Sequence, residues 1–194
     1  MNNLTRFRES IDPLIRPGER PFLCSGDPLR CRVFIVGFNP ATSLDGCFWQ
    51  YWSDNTGFDR ISFMADYTAT RRVRGARPRI EAIIGELAPI ACLETNICSK
   101  PTRRAAQLHS DERRTEIFDF LLMNICPDFV LVHSNEPISY MQARAGVVLR
   151  ENVPHSVSLG SYSFRLMGVG GPIWRKSIEQ AREIGRIIAS TLTD

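Results

Sequence analysis

The stretch Val33-Phe34-Ile35-Val36-Gly37-Phe38-Asn39-Pro40-Ala41-Thr42-Ser43 constrains this chain more than any other. Four consecutive apolar residues, with β-branched Val33, Ile35 and Val36 among them, predict a strand buried on both faces, as in the interior of a parallel sheet. Gly37 stops the run, and Asn39-Pro40 forbids its continuation. Proline has no N–H and pushes the residue before it out of the α region. The strand must therefore open into a tight loop at its carboxyl end, the edge where α/β sheets bind ligands. The loop holds a polar amide, Asn39, with little freedom to move. The turn can be a site, or simply the way a strand ends.

The rest of the chain alternates in the same manner. Leu4, Phe7, Ile11 and Leu14 fall at helical spacing, and Arg16-Pro17-Gly18 breaks that helix. Residues up to 32 then read as irregular, with Pro21, Gly26 and Pro28. After the first strand, residues 44–79 form a long segment dense in aromatics and then in arginine. Ile80, Ile83, Ile84 and Leu87 predict a helix over 80–90, ended by Pro89. Residues 91–97 read as a second strand, with Lys100-Pro101-Thr102 as its exit loop. Ser110 is the expected N-cap of a helix over 111–123, with Asp111 and Glu112 in its first turn. Phe129-Val130-Leu131-Val132 is a third strand running into His133, and a helix follows over 138–145. Phe164-Arg165-Leu166-Met167 is the best part of a fourth strand within a strand-like 157–166. Residues 168–172 read as a loop and 173–192 as a closing helix. Strands alternating with helices imply right-handed crossovers and a parallel sheet covered on both faces. No repeat or linker divides the chain, so residues 1–194 are expected to form a single domain. The strand-end loops at Asn39-Pro40, 96–102, 133–137 and 168–172 should converge on one edge.

No apolar run reaches the roughly 18–20 residues that a membrane helix needs, and the N-terminus lacks a signal-peptide core, so a cytoplasmic protein is expected. The six cysteines form no C-x-x-C pair, which argues against a zinc ribbon; most should be thiols, with a dispersed iron–sulfur ligand set the alternative. No metal is expected.

Several residues can carry chemistry. Asn39 can hold a water by accepting a bond from it, or can simply bond its own turn. Phe48, Trp49, Tyr51 and Trp52 follow the first loop; they can stack a base or anchor a core, and Phe48 is the candidate stacking face. Asn96 ends the second strand and offers an acceptor and two donors on a rigid plane, suited to a pyrimidine edge. The net charge is only +3, yet Arg71, Arg72, Arg74, Arg77 and Arg79 fall within nine residues, with no acid among them. Lys100, Arg103 and Arg104 add to that field beside the second exit loop. Such clusters grip phosphates when they flank a site, and otherwise form a solvated face paired with Asp59, Asp66, Glu81 or Glu86. His133, at a strand end, can stabilise developing charge or shuttle a proton, or serve structurally. The glycine loop at 168–172 matches neither nucleotide-binding fingerprint.

Gly37-Phe38-Asn39-Pro40 at the end of a first buried strand resembles the first motif of the uracil-DNA glycosylase superfamily, closest to its mismatch-specific uracil/thymine branch. Gly46-Cys47-Phe48 resembles the segment that supplies the base-stacking phenylalanine, and Thr95-Asn96-Ile97 the strand end where some branches place the uracil-reading asparagine. Lys100-Pro101-Thr102, with Ala105 and Leu108, resembles the Arg-Pro-Thr exit of the mismatch branch. The order of elements agrees over roughly residues 30–190. The resemblance implies a three-layer α/β/α sandwich with a central four-stranded parallel sheet. It also implies hydrolysis of the N-glycosidic bond of a base flipped from duplex DNA, with no cofactor. Asn39 would position the water; Gly37, Phe38 and Pro40 would shape the substrate site; Phe48 would stack on the base; Asn96 would read its edge; and the basic residues would hold DNA. The chain departs from the pattern in three places. Ala41 stands where the family prefers glycine. Asn39 stands where the fast uracil branch has aspartate. The last motif, 168–173, has no histidine, and its wedge residue is unassigned between Val169 and Ile173. A DNA glycosylase acting on a damaged or deaminated base, as a monomer, is the leading expectation. A non-catalytic nucleic-acid binder on the same scaffold and a small-molecule nucleoside or base hydrolase are the alternatives.

Overall fold

In the computed structural model, residues 2–43, 46–70 and 73–193 are described; Arg71 and Arg72 lie outside them. The chain begins with α1 (Asn3–Ile11), whose start is set by Asn2: its side-chain oxygen accepts a 2.8 Å bond from the Thr5 N–H. Leu4, Phe7 and Ile11 form its buried face. Next come β1 (Phe22–Cys24), β2 (Val33–Gly37) and the short hairpin strands β3 (Trp52–Ser53) and β4 (Gly57–Phe58). Helices α2 (Arg60–Thr70) and α3 (Arg77–Leu87) lead into β5 (Cys92–Asn96). The remainder is α4 (Glu116–Ile125), β6 (Phe129–His133), α5 (Asn135–Ala145), β7 (His155–Leu159), β8 (Tyr162–Val169) and α6 (Ile178–Thr193).

The central sheet is mixed and six-stranded, in the order β1-β5-β2-β6-β8-β7. This corrects the expected four strands. The four anticipated strands are all present and mutually parallel: β2 lies between β5 and β6, and β8 flanks β6. The two additions are antiparallel edges, β1 against β5 and β7 against β8. Strand β1 is three residues long beside Pro21, too short for an alternation to be read. Strand β7 reads as half-exposed because only one of its faces is covered, the usual pattern of an antiparallel edge.

Helix ends differ from expectation for local reasons. Helix α4 starts at Glu116 with Thr115 at its N-cap position, after a separate 3₁₀ turn at Ser110–Glu112, so Ser110 opens that turn and does not cap the helix. Helix α6 starts at Ile178 because Ser177 and Gln180 bond each other's backbone N–H at 2.8 and 3.0 Å, a capping box. Pro78 sits in the first turn of α3, where the missing N–H costs nothing. Gly168 and Val169 finish β8 and do not belong to the loop.

Side chains alternate across the sheet and build two cores. Val33, Ile35, Leu131 and Met167 pack under α3 and α6. Phe34, Val36, Val130 and Val132 pack on the other face with an aromatic cluster, α1 and α4. The period of two then puts Gly37, Asn96 and His133 at the carboxyl ends of β2, β5 and β6 on the α3/α6 face. No helix among the described residues is long and apolar enough to cross a membrane.

Candidate active site

A cleft of about 780 Å³ opens at the carboxyl edge of the parallel strands. Gly37, Asn39, Asn96 and His133 all line it, so three strand ends distant in the chain do meet. Gly37 is required there by space. A β-carbon on it would stand 2.7 Å from Asn96 Oδ1 and 3.1 Å from His133 Cε1, closer than side chains tolerate. Asn96 and His133 therefore reach over the end of β2 from either side.

The loops that leave β2 and β5 remain zipped together beyond the strands. Ile97, Cys98 and Thr102 donate N–H bonds to the carbonyls of Gly37, Phe38 and Pro40 at 2.9, 2.8 and 3.0 Å. Asn39 completes this clamp. Its Nδ2 donates to Thr102 Oγ1 at 2.8 Å and to the carbonyls of Thr102 and Pro40, each at 3.1 Å. Both readings of Asn39 thus have a physical basis: the nitrogen bonds the turn, and the oxygen is left as an acceptor on a fixed plane. Pro40 is buried behind it, and Phe38 lines the cleft with the Arg113 guanidinium 5.5 Å from its ring centroid.

His133 is neutral at physiological pH. Burial pushes its imidazole down to about 4, against a smaller upward pull from Glu94. Glu94, two residues before Asn96 on the same face of β5, is a buried carboxylate that the spacing of the sequence left unassigned. Arg77 Nη1 bonds its two oxygens at 2.7 and 2.6 Å, and Arg60 Nη2 bonds one at 2.9 Å. Burial alone would raise the Glu94 carboxyl, but the two arginines outweigh it and hold it below the usual range. The signal was present: an ionisable residue at an interior strand position needs a partner. The second cleft carboxylate, Glu136 in the first turn of α5, is exposed at the mouth.

The basic and aromatic candidates separate. Arg74 and Arg103 are exposed and line the cleft. Arg77 does not belong to a solvated face: it is buried, with its Nη1 bonded to Glu94 and Glu81. Arg79 Nε bonds the Lys176 carbonyl at 2.9 Å. Lys100 lies 3.8 Å from Glu112, and Arg104 is taken up in a turn whose N–H bonds Gln107 Oε1 at 2.9 Å; neither lines the cleft.

Phe48 is placed away from the cleft. Its ring stacks on Phe58 at 5.2 Å and meets Phe22 edge-on at 5.1 Å, within the core on the other face of the sheet. It borders a separate small pocket with Tyr51 and Phe63. Val169 and Ile173 are fully buried, so neither can enter a duplex. Trp174 is the missed aromatic: it is 52% exposed, lines the cleft mouth and carries Arg175 over its ring at 5.1 Å. Its exposure in a 3₁₀ turn could not be read from helical spacing.

All six cysteines are free thiols, and no group of three or more His, Cys, Asp and Glu among the described residues is arranged to hold a metal ion. Compared with known proteins, the chain matches no family model and no curated protein.

Proposed function

We propose that this chain is a monofunctional N-glycosyl hydrolase that removes a deaminated base flipped out of DNA, on a scaffold of the uracil-DNA glycosylase kind. The parallel order β5-β2-β6-β8, helices on both sheet faces and a cleft at the carboxyl edge support the scaffold. The observation that carries the chemistry is the convergence of Asn39, Asn96 and His133 around a glycine-sized gap at Gly37.

In this reading the base enters the cleft edge-on and Asn96 bonds its polar edge. Asn39, its nitrogen anchored to Thr102, accepts a bond from the attacking water through Oδ1. Water oxygen bonds to the sugar carbon as the carbon–nitrogen bond breaks, and the electron pair leaves on the base. Neutral His133 donates a hydrogen bond to that developing anion, replacing the histidine missing from the last motif. Glu136 takes the proton that the water releases. Trp174 fills the gap in the duplex, and Arg74 and Arg103 hold flanking phosphates.

The test is single-turnover cleavage of duplexes carrying uracil, mismatched thymine or hypoxanthine, read as alkali-labile abasic sites. The expected result is release by the wild type and roughly a hundredfold loss in Asn39→Ala. Salt-sensitive binding with no release would make the chain a nucleic-acid binder, and release from free nucleosides alone would make it a nucleoside hydrolase.

A further inference from the structure

The cleft is deeper than a single ring needs. Its lining continues below Gly37 and Asn96 to Ile35, Glu94, Ile80 and Arg77. Glu94 lies one repeat of the pleat beneath Asn96, roughly 6.6 Å further down β5. At that depth stand two arginines and two glutamates. Arg60 Nη2 bonds Glu81 and Glu94 at 2.7 and 2.9 Å, and Arg77 Nη1 bonds Glu81 at 3.2 Å and Glu94 at 2.7 and 2.6 Å. The side chains of Arg77 and Glu94 are each only 8% exposed. Stability gives weak grounds for such a cluster, since apolar packing in its place is often neutral or better.

The way Arg77 is held suggests a use. Among the described residues, its hydrogen bonds all leave from Nη1. Tyr67 lies against the guanidinium, its ring centroid 5.9 Å from Cζ, and further fixes the plane. The side of the guanidinium carrying Nε and Nη2 is left as two parallel N–H donors on a group that lines the cleft. Such a fork fits two adjacent acceptors. Uracil alternates acceptor, donor and acceptor along its edge and has no such pair. A 6-oxopurine has one, the ring nitrogen N7 beside O6, and arginine bidentate to those two atoms of guanine is the commonest specific contact in the DNA major groove.

We propose that Arg77, clamped by Glu94 and Glu81, reads the N7/O6 edge of a two-ring base, so that the cleft selects a deaminated purine such as hypoxanthine over uracil. Asn96 and His133 then meet the base nearer its glycosidic end. Arg77 is a specificity residue in this scheme, and Glu94 is a positioning residue that acts through it. The inference rests on the glycosylase reading for its reaction, but the base preference is measurable by itself.

Two assays separate the claims. The first compares base release from duplexes differing only in deoxyinosine or deoxyuridine, for wild type and Arg77→Lys. Lysine keeps the positive charge beside Glu94 and removes the fork. Wild type should prefer hypoxanthine by roughly tenfold or more, and Arg77→Lys should bring the ratio close to one. Because both rates come from one preparation, partial unfolding cancels. The second is calorimetric titration with free hypoxanthine, free uracil and inorganic phosphate. Hypoxanthine binding that exceeds uracil binding and is lost in Arg77→Lys supports the purine site even if no duplex is cleaved, and in that case the hydrolase reading alone fails. Uracil released as fast as hypoxanthine, a ratio unmoved in Arg77→Lys, or phosphate bound in place of either base would overturn the proposal.

Discussion

The two faces of the sheet reach its carboxyl edge with opposite contents. On one face the strand ends are filled: Phe22, Phe48 and Phe58 interlock with Trp52 and Phe7, and the pocket that Phe48 borders holds only about 20 Å³. On the other, the same strands end in Gly37, Asn96 and His133, and the space above them is open. One face spends its residues on packing, while the other keeps polar groups, each of which must be held by a partner. A one-residue change in facing decides which role a strand-end side chain takes.

The comparison breaks most visibly at Glu94. Glu94→Ala should cost about 3 kcal/mol, because it removes the buried carboxylate from Arg77 and Arg60 and leaves them only the more exposed Glu81. The thermal midpoint reads this directly, and an unchanged midpoint would mean that water already reaches the cluster. Next in size is Gly37→Ala. Its β-carbon would displace Asn96 and His133, costing about 1–3 kcal/mol in stability and at least roughly tenfold in base release. Unaltered release would show that these two side chains have room to spare.

The pH dependence sharpens the contrast. The His133 imidazole is pushed from 6.5 down to about 4, so the unfolded chain binds the extra proton first. Its contribution to stability is therefore complete above about pH 6.5 and is lost as the pH falls toward 4. Replacing His133 with Asn should flatten denaturation midpoints across that window. Base release by the wild type should show no inflection near 6.5; a clear one there would mean that the imidazole is not held below its ordinary value.

Much of this arrangement was open to sequence reading, and the boundary has physical causes. The four parallel strands were legible because interior strands are continuous apolar runs, such as Phe129-Val130-Leu131-Val132. Edge strand β1 was not, being short, and β7 was read only as part of a strand-like 157–166, without the turn that separates it from β8. Asn39, Asn96 and His133 were legible as polar residues at strand ends. The Arg77–Glu94 pair was not: residues 17 apart in the chain meet across a helix and a strand, and a run of arginines in sequence reads as one patch when the fold buries one member and exposes another. Phe48 was misplaced because adjacency to the first loop does not say on which side of the sheet a ring will fall. The expectations for Arg71 and Arg72 lie outside the described residues.

The smallest effects separate the two aromatic regions. Phe48→Leu should cost less than about 1.5 kcal/mol and leave base release unchanged, whereas a ring that stacked on substrate would not be so replaceable. Trp174→Ala should stay within about 0.5 kcal/mol of wild-type stability yet weaken duplex binding, measured by anisotropy of a labelled oligonucleotide.

The most direct measurement is a crystal structure of the Asn39→Ala protein bound to a duplex carrying a single deoxyinosine. The flipped base should lie in the cleft over Gly37, between Asn96 and His133, with Trp174 at the gap it leaves. A base still stacked in the duplex, or lodged against Phe48 while the cleft holds none, would contradict this account.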